Sequence, residues 1–588
     1  TRVSGTGRLK ISSALATASF PGGDFGNFLA LGGGIVEYYS TGTTGLATFT
    51  LPSSYISGTN TINITGYNNL TLSPASSKNI ILPNNDLHIY DDLTISGAGI
   101  SQLNILASTR TVVIDSSLIV QSGTLRYMNG NNTAQNMVVY GNVRVDNGAV
   151  FDVNTAGTAA NLLTIQGNLT NNGTFDMNAG AGRVCNVIFS GPANREINGT
   201  GTVTDFNTIE VNKGASRNAL LEVKSSVLSL NTSLATALTL TNGTFRLTSP
   251  IVLNLTNAGS FTIPTSGCLS ANGGTINIGG AAATNSTDLI LDGRLEILSG
   301  NINIGTPGTN LNNDIIYSSG GTPEIIVAGG NLFVNGQVRR VTTINTGSLS
   351  YTQSDESSMV TIAGRNAVNS RSMFEILNTG SKFNMSGCRL IISGSFDNPS
   401  YTDLYLVPDS STVTGGTIVF GSSETPAGTA FNAVSSVPLY NIETNAVNNS
   451  KTVDLRIYPL TLRNNLIING EGVFRANGLD IIIGGSLVND NSASGLGLNT
   501  GGYQPGSSRQ MTTFNGTGAH SITGSGANLT NFANLTMASS GTLSLLTGSN
   551  IRVNGNMSLL SGILEDGGNT ISVAGNIMNN AVHTSSAP

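Results

Sequence analysis

Apolar residues alternate with polar ones over four to seven positions along most of the chain, then stop at Gly, Asn-Gly or Ser-Gly. Leu238-Thr-Leu240-Thr-Asn-Gly243, Leu289-Ile-Leu291-Asp-Gly293, Leu295-Glu-Ile297-Leu-Ser-Gly300 and Leu332-Phe-Val334-Asn-Gly336 show the pattern. A period of two predicts short strands with one buried face, and the glycines predict the turns between them. No convincing 3.6-residue period marks an amphipathic helix.

Four strands fall into step. Leu93-Thr-Ile95, Leu118-Ile-Val120, Val143-Arg-Val145 and Leu169-Thr-Asn171 begin 25, 25 and 26 positions apart. Gly97, Gly123, Gly148 and Gly173 follow at matching places, spaced 26, 25 and 25. An array of sandwich domains would repeat at about 100 residues, whereas one three-sided coil needs only three short strands and three turns. The expected fold is therefore all-β: a right-handed parallel β-helix (β-solenoid) with irregular coils of about 20–26 residues and no substantial helix. A mean step near 25 gives roughly 23 coils. Side chains alternate across a strand, so Leu125, Phe151 and Phe175 should stack inside. The extra residue between Gly148 and Phe151 predicts a bulge.

A longer repeat overlies the coils. Its heads are Val36-Glu-Tyr38, Val187-Ile-Phe189, Ile418-Val-Phe420 and Thr512-Thr-Phe514. Its tails are Tyr67-Asn-Asn69-Leu-Thr-Leu72, Phe206-Asn-Thr208-Ile-Glu-Val211, Leu439-Tyr-Asn441-Ile-Glu-Thr444 and Phe532-Ala-Asn534-Leu-Thr-Met537. Four blocks are expected: 1–184 with the opening segment, 185–414, 415–510 and 511–588. No Pro-rich or charged spacer separates them, so they read as one continuous rod. Beginning on Thr1 and stopping at Ser585-Ser-Ala-Pro588, the chain reads as a piece of a larger protein.

Composition narrows the function. Charged residues make up 10%, against about 25% in typical soluble domains. The net charge of −6 is thinly spread, with no cluster of Lys and Arg to displace counterions from a nucleic acid. No apolar run is long enough for membrane insertion. Cys185, Cys268 and Cys388 are odd in number and far apart, which fits small buried apolar residues rather than a disulfide framework. Asn-x-Ser/Thr sequons, among them those at Asn63, Asn69, Asn168, Asn198, Asn242 and Asn534, fit Asn side chains hydrogen-bonding between turns.

Parallel β-helices also carry polysaccharide-cleaving enzymes, whose chemistry needs two carboxylates about 5–10 Å apart. The best placed are Asp152 and Asp176, at equivalent outward positions one coil apart, with Arg126 in the same file. This ladder is a weak candidate for holding a cation or a sugar, and a solvated face is the plainer reading. Asp91-Asp92 falls at a turn, where capping is the default. His88, His520 and His583 are too scattered for a metal site, so no catalytic residue, metal or cofactor is expected.

The run Gly32-Gly-Gly-Ile-Val-Glu-Tyr38, then Tyr67-Asn-Asn-Leu-Thr-Leu-Ser73 and Lys78, then Leu87 to Ile95-Ser-Gly97, resembles very large cell-surface proteins of Bacteroidota. These are adhesin-like repeat proteins of the gliding-motility type, often exported by type IX secretion. The likeness covers the first 100 residues best and the units at 187, 418 and 512 more loosely. The C-terminal sorting domain of that system is missing, and autotransporter-type passengers are the nearest rival family. The resemblance implies an extracellular, non-catalytic structural or adhesive stalk on the surface of a Gram-negative bacterium. Its implied partners are other cell-surface proteins or surface glycans. Two alternatives remain open: a filament or lattice subunit that self-associates end to end, and a carbohydrate-active β-helix enzyme.

Overall fold

The computed structural model describes the chain except residues 1, 41–47, 103–108, 128–132, 154–159, 181, 256–258, 280–285, 369, 397, 399, 494, 525–528 and 586–588. Short apolar runs become strands, and each coil places three of them on three faces. One coil runs from Leu87–Ile89 through Leu93–Ile95 and Ile100–Gln102, and the next opens at Thr111–Ile114. Leu93 pairs with Leu118, Leu118 with Val143 and Val143 with Leu169, all parallel. Parallel pairing gives each strand's N–H and C=O groups partners in the coils before and after, which lets a chain this poor in charge bury its backbone.

The described coils form a β-solenoid of about 21 turns with essentially no helix; the single helix among them is the four-residue Gly26–Leu29. The turns fall below the 23 expected from a 25-residue step because some coils are long. Val36 pairs with Leu70, Val338 with Phe374 and Leu487 with Ile522, steps of 34, 36 and 35 positions.

The chain divides into two compact units, one of residues 1–256 with 266–276 and one of residues 257–265 with 277–588. In the first unit, one face is an eight-stranded parallel sheet from Thr48–Thr50 to Ser229–Leu230. Leu125, Phe151 and Phe175 are paired in register on it and fully buried, as the alternation predicts. Tyr127, Phe151, Phe175 and Phe206 form an aromatic column with successive ring centroids 5.8, 5.6 and 5.2 Å apart. The expected bulge before Phe151 is not there. Thr124 to Tyr127 pairs with Val150 to Val153 without a shift. The extra residue sits in a turn closed by Ala149 N–H donating to Asp146 C=O (3.0 Å), with Gly148 at φ 79°. The long step from Val36 to Leu70 holds a hairpin, Ser54–Ser57 with Asn60–Asn63, the one antiparallel strand pair among the described residues. Phe20, Phe25 and Phe28 pack with Tyr55 beside it.

In the second unit, strands run on around corners. Phe374–Ile392 follows Leu404–Phe420 for most of its length, with the register shifting beside Gly387 and Gly415. The Cβ-free residue is needed at Gly415, where a methyl would overlap the Ser386 carbonyl.

The longer repeat has a structural cause. Head and tail of each block are the same strand position on successive coils: Val36 pairs with Leu70, Val187 with Ile209, Ile418 with Ile442 and Thr512 with Leu535. Each head and tail are thus similar strands on adjacent coils.

A second recurrence lies at one corner, just before the strand. In the first unit the Oδ1 of Asn69 accepts the N–H of Asp92, Asp92 that of Ser117, Asn142 that of Asn168, and Asn168 that of Glu196, at 2.9–3.1 Å. In the second unit Asp288 accepts Asp314 N–H and Asp314 accepts Gln337 N–H, at 2.9 and 2.7 Å. Asn441 accepts Asn465 N–H and Asn465 accepts Ser486 N–H, at 2.9 and 2.8 Å; Asn534 accepts Asn556 N–H and Asn556 accepts Asn576 N–H, at 3.0 and 2.9 Å. Elsewhere the carboxamides bond directly, Asn231 donating to Asn207 (2.9 Å) and Asn207 to Asn186 (2.7 Å). Sequon residues Asn69, Asn168 and Asn534 belong to the corner files. The three cysteines are free and buried. Burial pushes the Cys185 thiol well up and that of Cys388 up to about 11, so both stay neutral packing groups.

Candidate functional site

The ladder expected from the sequence is assembled in the first unit. Arg126 pairs with Asp152 and Asp152 with Asp176 across successive coils, and the file continues to Asp205 and Ser229. Arg126 grips Asp152 in a two-point bond, Nε to Oδ1 at 2.7 Å and Nη2 to Oδ2 at 2.6 Å. Burial pushes the Asp152 carboxyl up; Arg126 opposes this and the neighbouring Asp176 adds to it. Asp176 accepts the backbone N–H of Asn178 at 3.1 Å, and Asp205 takes the Ser229 hydroxyl at 2.7 Å. Each acid thus has a hydrogen-bonded neighbour. Asp91 and Asp92 cap a corner, Asp91 accepting from the Asn69 side chain at 3.0 Å. His88 and His583 bond Asp115 and Asp566 at 2.8 and 3.0 Å, in separate places. Among the described residues, no three His, Cys, Asp or Glu side chains stand as a metal-ligand group.

A different cluster, in the second unit, went unread in the sequence. On the strand at Phe374, Phe374 and Ile376 point into the core and Glu375 points out, yet Glu375 is only 3% exposed. The cover comes from chain in the 36-residue step between Val338 and Phe374. Gln337 holds Val368, Arg371 and Ser372, accepting from Val368 N–H (2.7 Å) and donating to the Arg371 and Ser372 carbonyls (both 3.1 Å). Arg340 reaches the Asn345 carbonyl at 2.8 Å.

Beneath this cover, one oxygen of Glu375 takes three donors: Arg340 N–H (2.6 Å), Arg340 Nε (3.1 Å) and Arg371 Nη2. Arg339 pairs with Asp314 at 2.6 Å beside them. Burial pushes Asp314 up while Arg339 pulls it down, and burial lowers the Arg371 guanidinium. A recess of about 210 Å³ opens onto Arg340, Arg371 and Glu375, with Tyr401, Tyr405 and several Ser and Thr hydroxyls around it. The sequence signal was the doublet Arg339-Arg340 inside a strand of a chain with so little charge. What alternation could not show was that two outward positions would be roofed.

No family model, no curated protein and no solved structure matches this chain. No helix among the described residues is long and apolar enough to cross a membrane.

Proposed function

We propose that the chain is a non-catalytic structural and adhesive stalk displayed outside a Gram-negative bacterial cell. The observation that carries this reading is the corner file, in which Asn and Asp side chains bind the next coil's backbone rather than remain open to a substrate. Repeated along both units, these bonds make each coil a template for the next, the property a load-bearing spacer needs. The charges of the Arg126–Asp152–Asp176 ladder are also committed, Arg126 to Asp152 on the next coil and Asp176 to the N–H of Asn178 two residues on. The gliding-motility and type IX affinities suggested by the opening 100 residues fit such a role, with surface glycans or other surface proteins as partners.

Beads coated with the purified chain test it. Retention of bacterial cells or glycan-coated surfaces above beads carrying an unrelated β-solenoid is the expected result. Equal retention on both beads would remove the adhesive role. Steady release of oligosaccharides from a polysaccharide panel would replace it with an enzyme.

A further inference from the structure

The recess on the second unit has the composition of a ligand site rather than of a structural ion pair. Arg340 and Arg371 bring two positive charges and Glu375 one negative, so the floor keeps a net positive charge. Glu375 concentrates its three bonds on Oε1, and among the described residues its Oε2 accepts none. Arg371 is 4% exposed, its Nη2 bonds Glu375 and the Arg340 carbonyl, and its Nε has no partner.

The walls give the chemical class. Thr343, Ser370, Ser372, Ser400 and Thr402 line the opening; the Ser372 and Thr402 hydroxyls bond each other at 2.7 Å, and those of Thr343, Ser370 and Ser400 can donate or accept. Tyr401 and Tyr405 are half-buried there, offering flat apolar faces with polar edges. Hydroxyls in both roles together with aromatic faces suit a sugar ring, and a net positive floor suits a carboxylate on it.

We propose that the recess lined by Arg340, Arg371, Glu375, Tyr401 and Tyr405 binds an acidic sugar, its carboxylate directed to the arginines and its ring against the tyrosines. This names a ligand class for the adhesive reading and rests on that reading for its biological meaning, but the binding is testable apart from it. The recess is small, so one sugar unit at a chain end is the expected occupant.

The probes are galacturonate, galactose and sodium acetate, titrated into the full chain and followed by ligand-observed NMR. Galacturonate should bind at least tenfold more tightly than either galactose or acetate. Tyr405→Ala, at a partly exposed position, should weaken galacturonate at least tenfold, and Ser400→Trp should block it by filling the opening. Arg126→Gln, in the first unit, should leave binding unchanged. Equal binding of galactose would overturn the carboxylate assignment, and equal binding of acetate would leave a simple anion site with no role for the ring. Absence of galacturonate binding, or binding indifferent to both Tyr405→Ala and Ser400→Trp in folded protein, would overturn the site. If galacturonate binds and coated beads still retain nothing, the adhesive stalk falls while the site stands.

Discussion

The carboxamide oxygen of Asn142 accepts the backbone N–H of Asn168, one coil on, and Asn168 does the same for Glu196. A single side-chain atom thus joins neighbouring coils at a corner where the strand ladder is interrupted. Replacing Asn168 with Ala leaves Glu196 N–H without its acceptor and should cost about 1 kcal/mol. Asn168→Asp should be nearly neutral, because Asp92 and Asp314 fill the same position with the same bond. Guanidinium unfolding of the two variants checks the ranking; equal losses would show that the corner bond contributes little.

Glycines in the corners are required for two different reasons, which substitution separates. Gly167 lacks a left-handed φ, but a Cβ there would overlap the carbonyl of Gly141 in the coil before. Gly148 has φ 79° with open space around it. Gly148→Ala should therefore cost about 1 kcal/mol of backbone strain, and Gly167→Ala more, about 2–3 kcal/mol, because backbone must move. Thermal unfolding of the pair would contradict this if Gly148→Ala were the worse of the two.

Lys213 is fully buried, and its ammonium donates to the Ser190 carbonyl at 3.0 Å. Burial, aided by Arg195, lowers its pKa to about 8. The folded chain thus releases this proton from about pH 8, whereas the unfolded chain keeps it to about pH 10.4. Between those values the unfolded state binds more protons, so this group's effect on stability improves as pH rises, by on the order of 3 kcal/mol. Below about pH 8 its penalty is constant. Lys213→Met should be more stable than wild type at pH 7, with the gap closing by pH 10. A gap unchanged across that interval would refute the lowered pKa of Lys213 in the folded chain.

Arg126→Gln removes the guanidinium that opposes the upward push of burial on Asp152. The loss should be about 2 kcal/mol at pH 7, where the acid must stay ionised beside Asp176. Burial already holds the folded pKa of Asp152 above its ordinary value. As pH falls through that raised pKa the native acid takes up its proton before the unfolded one does, so the variant's deficit should shrink. Denaturation at pH 7 and pH 4 reads this directly, and a deficit that grows in acid would reverse the argument.

The fold was legible because it repeats. Leu93, Leu118, Val143 and Leu169 carry the same local message, and parallel pairing of like with like makes sequence period and coil length one quantity. The inward stack of Leu125, Phe151 and Phe175 followed from alternation alone, as did the Arg126–Asp152–Asp176 file. The turn at Gly148 was misread as a bulge because counting residues between landmarks cannot say whether an extra one falls in a strand or a loop. The Arg340–Arg371–Glu375 cluster escaped for a related reason. Its members come from two segments, one at Arg340 and one holding Arg371 and Glu375, and which loops fold over an outward face depends on loop conformation, which has no period.

The long coils carry a further lesson. About 25 residues close one turn of this fold, as Leu93 to Leu118 shows. The step from Val36 to Leu70 holds a hairpin, and the step from Val338 to Phe374 supplies the cover over Glu375. Surplus length within a turn is the raw material for anything beyond self-stacking, because a minimal turn has no backbone left over. The 35-residue step from Leu487 to Ile522 is accordingly the next stretch where evolution has had room to vary the molecule's dealings with its surroundings while its framework stays fixed.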